Sequence, residues 1–241
     1  MRTNNPVLGQ RFENMAQPLA GGKTMTINGT IDKAAILFFL VLISATFVWN
    51  RYLDQSLNVG GLMVFGAIGG FIAAMVTFFK PNIAPISAPV YAILEGLFLG
   101  GISAQFNYAY PGLPMQAVGL TFAVLAVMLG LYRFRIIKVT AKLRSGIISA
   151  TLGVLGFYVI NFFLGFMGMG FGLNNSPLGI GISLVIVGIA AFNLLLDFDF
   201  IENASRRGLP GYMNWIGALG LMVTLVWLYL EILRLLARTR D

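Results

Sequence analysis

The sequence predicts an all-α fold, a polytopic membrane bundle of seven transmembrane helices. Three observations carry that prediction. Hydrophobic residues make up 58% of the 241-residue chain and charged residues only 10%, where a soluble surface takes about a quarter. The mean hydropathy is +0.83. The apolar residues also gather into runs near the ~20 residues that a spanning helix needs.

Residues 1–30 come first and are polar and basic. They lack the apolar core of a cleaved signal peptide. They are expected to form a cytoplasmic segment ahead of a seven-helix domain over 31–241, whose first span directs insertion. The predicted spans are Lys33–Leu53, Val59–Phe79, Ala88–Phe106, Gln116–Tyr132, Ser145–Met167, Leu178–Asp199 and Tyr212–Leu236. The turn NYAYPGLP, punctuated by Pro and Gly, separates the third from the fourth. Glycines at Gly66, Gly69, Gly70, Gly96, Gly100, Gly153 and Gly156 are expected to let helix backbones approach closely. No internal repeat is visible.

Orientation follows from the cations. With the N-terminus in the cytoplasm, 12 of 16 Lys and Arg residues lie inside: Arg2, Arg11, Lys23, Lys33, Lys80, Arg133, Arg135, Lys138, Lys142, Arg144, Arg206 and Arg207. Lys and Arg concentrate in cytoplasmic loops, so this orientation is favoured over its inverse. Arg234, Arg238 and Arg240 do not fit, because seven full crossings leave them outside. Trp49, Tyr52, Trp227 and Tyr229 are expected at the outer boundary, and Tyr212 and Trp215 at the inner one.

The chain has no cysteine and no histidine. Thiol nucleophiles, disulfides, His-ligated metals and Ser-His or HExxH hydrolases are thereby excluded. The net charge of +7 belongs to the loop asymmetry, so no nucleic-acid partner is expected. Two aspartates two residues apart do not make an intramembrane protease, whose acids stand on separate helices. An enzyme is not expected, nor a cofactor.

Acids inside a bilayer are costly and need a partner or a role. Glu95, Asp197, Asp199 and Glu231 lie within or at the ends of spans. Glu95 is seven residues into the third span, about 10 Å deep. Asp197 lies in the cytoplasmic third of the sixth span. The two share a level if those spans are neighbours. Asp197 and Asp199 point about 200° apart on a helix, and Asp197 is the deeper. Glu202, beyond them, is expected in solvent. Such acids can share a proton, bind a hard cation such as calcium, or pair with a base, and Lys80 stands as a candidate latch. Glu231, about 20 residues into the last span, is expected in an interfacial ion pair with Arg234 at i+3.

The segments NPVL, MTINGT, YAILEGLFLGGIS, FNLLLDFDFIE and WIGALGLMVTLVWLYLEILRLL, in this order and with seven spans, resemble the bacterial branch of the Bax inhibitor family. The resemblance covers nearly the whole chain. It implies a pH-sensitive calcium leak in the bacterial inner membrane. It also implies a sixth-span aspartate paired with a seventh-span aspartate near the cytoplasm. The sixth-span acid matches Asp199 counted from the turn and Asp197 counted from Ile201. At the second position this sequence carries Thr224, which leaves Glu95 as the remaining carboxylate at suitable depth. The candidate site is therefore Asp197, Asp199 and Glu95 for protons or cations, with Asp197 and Asp199 as calcium ligands and Lys80 and Thr224 as latch or pore lining. The resemblance also implies an alternative role, a non-conducting regulator. Its partner would be a membrane-anchored protease or another membrane protein, besides the lipid bilayer itself.

Overall fold

A computed structural model describes residues 23–53, 59–167 and 177–240. Most of the polar N-terminal segment thus lies outside the described residues. Among the described residues, seven helices are long and apolar enough to cross a membrane. They are α1 (Ile27–Leu53), α2 (Val59–Phe79), α3 (Ala84–Ala109), α4 (Leu113–Arg133), α5 (Ala141–Phe166), α6 (Pro177–Arg206) and α7 (Met213–Arg238). Each predicted span coincides with one of them; Met167 and Tyr212 fall one residue outside α5 and α7, and most helices run past the span at one end or both. The reason is local. α5 starts four residues before Ser145 because the Thr140 hydroxyl caps it, accepting from the Leu143 N–H at 3.2 Å. α6 runs on to Arg206 and stops where Gly208 turns left-handed at φ 63°. α3 and α4 are divided at Gly112, φ 79°, whose N–H donates to Asn107 Oδ1 at 2.9 Å.

The helices fall into two compact units. The first comprises Met1–Ala104 with Asp199–Met222. Here α3 is pressed between α1 and α2 by glycines. A Cβ at Gly100 would stand 2.4 Å from the Ala45 carbonyl oxygen, and one at Gly96 2.5 Å from that of Val41. A Cβ at Gly66 would stand 2.5 Å from the Leu94 carbonyl oxygen. Each lies too close for any side chain, so these backbones are in direct contact.

The same unit explains MTINGT. Met25 and Thr30 are each 1% exposed. The Thr26 hydroxyl caps α1 by accepting from the Gly29 N–H at 2.9 Å. The Met25 N–H donates to the Leu209 carbonyl at 2.6 Å, and the Gly211 N–H to that of Lys23 at 2.7 Å. Asn214 Oδ1 accepts from the Thr26 N–H and the Thr30 hydroxyl, each at 3.1 Å. The segment ahead of α1 is thus stitched to the α6–α7 turn. Gly29 is required because a Cβ there would press on Asn214 at 3.0 Å.

The second unit comprises Gln105–Phe198 with Val223–Asp241. Its glycines behave differently. No atom stands within 4 Å of a Cβ built at Gly153 or Gly156. The close approach expected at those two positions is therefore absent, and they face open space.

Candidate functional site

The second unit carries a line of polar side chains on α5, α6 and α7. At one end is Asp197, one turn after Asn193 on α6. The Thr224 hydroxyl of α7 donates to its carboxylate. Its Oδ2 is buried and has no hydrogen-bond partner among the described residues. The surroundings are closed: Leu194 and Leu195 are fully buried, and the Phe198 ring lies 5.8 Å from that of Tyr132. Asn193 donates to the Thr151 hydroxyl of α5 and to the Ile189 carbonyl, both at 2.8 Å.

Two turns beyond Thr224 on α7 is Glu231, only 2% exposed. Arg234 Nη1 stands 2.9 Å from its Oε1. The Tyr158 hydroxyl of α5 reaches both carboxylate oxygens at 2.9 Å, and the Trp227 indole N–H donates at 3.1 Å. Arg234 also donates to the Tyr158 oxygen at 3.1 Å. Glu231 is thus buried with three partners, while the Arg234 side chain stays about a third exposed. Trp227, expected as a boundary anchor, spends its N–H on Glu231.

The C-terminal arginines are held in the same unit. Arg238 donates to the Ser183 hydroxyl, and to the Gly179 carbonyl at 3.4 Å. Arg240 donates to Gln116 Oε1 at 3.0 Å and to the Pro111 carbonyl at 3.4 Å. The end of α7 therefore meets the starts of α6 and α4. Seven full crossings would bring these ends together, and the contacts supply polar partners for the cations that break the charge rule.

The remaining predicted residues lie in the first unit. Glu95 is half-buried on α3, one turn after the buried Tyr91. A Cβ at Gly70 of α2 would stand 3.0 Å from its Oε2, so that glycine makes the room the carboxylate occupies. Among the described residues no cation pairs with Glu95, and none of the acids pairs with the exposed Lys80. Asp199 is half-buried, and its backbone carbonyl accepts from Asn203 Nδ2 at 2.8 Å. Glu202, expected in solvent, is paired with Arg206 one turn on. Among the described residues no three acidic side chains converge on a point that could hold a metal ion.

Sequence reasoning missed Tyr158, Thr151 and Asn193. Their signal was available: Thr151 and Tyr158 are seven apart, on one face of α5, and Asn193 precedes Asp197 by four.

Among protein families, the profile described as Bax inhibitor 1 like matches residues 5–241. No curated protein and no solved structure matches the chain.

Proposed function

The chain belongs to the Bax inhibitor 1 like family, and from that premise we propose that it is a proton-sensitive leak for cations, calcium foremost, controlled by buried carboxylates. The observation that carries this reading is the unpartnered Oδ2 of Asp197. A buried polar atom normally has a partner. A carboxylate oxygen without one keeps lone pairs free for a proton or a cation. The Asn193 amide, one turn before Asp197 on α6, adds a neutral carbonyl oxygen of the kind calcium accepts. With no cluster of three acids among the described residues, a cation meets few full charges. Few charged ligands mean weak retention, which suits passage. Glu231 does not serve in this way, because Arg234 already balances it. Glu95 and Asp199 complete the proposed set, and the cation asymmetry of the loops supports a cytoplasmic level for Asp197.

Calcium flux into proteoliposomes, followed from about pH 6 to 8, where unperturbed carboxylates stay ionised, tests the proposal. A protonated Asp197 no longer attracts a cation, so flux falls on acidification. Asp197→Asn imitates that state and removes both the flux and its pH dependence. Unchanged flux and pH profile in Asp197→Asn, Asp199→Asn and Glu95→Gln alike sinks the reading.

A further inference from the structure

A groove runs between α5 and α6 on the least buried of the seven spans. Its first stretch, about 480 Å³, is lined by Thr140, Lys142, Gly146 and Phe192. A second stretch of about 610 Å³ continues past Gly153 and Phe157. Ala150 and Ile189 line both stretches, so the two form one channel open to the side. Its floor is made of missing side chains: nothing stands within 4 Å of a Cβ built at Gly146, Gly153 or Gly181. From Lys142 to Phe157 the groove follows α5 for about 22 Å, longer than one leaflet of a hydrocarbon core ~30 Å thick.

The groove is apolar along its length and cationic at one end. Lys142 is exposed there. It belongs to a run, Arg133, Arg135, Lys138, Lys142 and Arg144, with no acid between the first and the last. Such juxtamembrane clusters attract anionic lipid headgroups. We propose that the α5–α6 groove binds one anionic phospholipid, with an acyl chain on the glycine floor and the phosphate at Lys142. Charge complementarity selects this occupant. A zwitterionic lipid brings no net charge to Lys142, and a second copy docked in parallel brings the same cations to the same level.

Native mass spectrometry of the detergent-purified full chain tests this, with dioleoyl phosphatidylglycerol and dioleoyl phosphatidylcholine added in competition. The wild type is expected to retain one phosphatidylglycerol in preference to phosphatidylcholine. One lost charge near the headgroups, in Lys142→Ala, lowers that retention about fivefold. Gly146→Leu fills the floor and lowers retention of both lipids. Gly130→Leu, on α4 where space is equally open, leaves retention unchanged. Equal retention of the two lipids by the wild type overturns the proposal. So does an undiminished preference in Lys142→Ala, whose exposed site does not threaten folding. A lipid-free dimer as the retained species also overturns it, in favour of a second copy in the groove.

Discussion

At Asp197 one carboxylate oxygen takes the Thr224 hydroxyl and the other takes nothing. A hydroxyl is a neutral partner that donates one proton and keeps lone pairs free. A second acid in its place would share a proton with Asp197. Thr224→Val keeps the shape and deletes the donor. It is expected to cost about 1 kcal/mol in stability, read by denaturation in mixed micelles, and to leave a carboxylate with two empty oxygens. Thr224→Asp supplies the second acid, and the flux profile should then show two proton-binding steps where the wild type shows one. Glu231 presents the opposite case, a carboxylate with every oxygen taken. Arg234→Met strands it in a site 2% exposed, at a cost of about 2–3 kcal/mol. Glu231→Gln costs less, because Arg234 keeps a side chain about a third exposed. A double-mutant cycle of the two should therefore give a coupling of about 1 kcal/mol or more, whereas additive losses would mean that the pair is not coupled.

At the scale of elements, two classes of glycine look identical in sequence and do opposite things. Gly96 and Gly100 admit the α1 backbone, while Gly153 and Gly156 border empty space. Gly100→Ala has to push Ala45 away, because its Cβ would lie 2.4 Å from that carbonyl oxygen. A loss of about 1–3 kcal/mol follows, as for an overpacked core. Gly153→Ala has only the helix propensity to gain, about 0.5–1 kcal/mol. Thermal denaturation of the pair should give shifts of opposite sign. The contrast marks what the sequence could tell. Hydropathy alone placed seven helices, since lipid demands length and apolarity from each span separately. The spacing of small residues could not say which faces meet, since that depends on a neighbour the spacing does not name. Thr140 and Gly208 moved helix ends because capping acts at single residues, below the resolution of a hydropathy window. In the site, the i+3 spacing of Glu231 and Arg234 was readable along the chain. Tyr158, 73 residues from Glu231 in sequence, was not, and neither was Thr224 as the donor to Asp197.

At the scale of the whole molecule, the cations set two rules against each other. Twelve favour one side, while Arg234, Arg238 and Arg240 end the chain on the other after seven crossings. The contacts within the second unit agree with seven crossings. Arg238 is fixed to Gly179 and Ser183 at the start of α6, and Arg240 to Pro111 and Gln116 at the start of α4. The α4–α5 loop with Lys138 stands at the opposite ends of those helices. A helix that turned back before its end could not reach either partner. The absence of native cysteine makes this measurable without background. Lys138→Cys and Thr239→Cys both alter exposed positions. In sealed right-side-out vesicles a membrane-impermeant maleimide should label Thr239→Cys and spare Lys138→Cys, and inverted vesicles should exchange the two. Labelling of both cysteines from one side would mean six crossings. The arginine contacts and the assignment of α7 as a full span would then fail together.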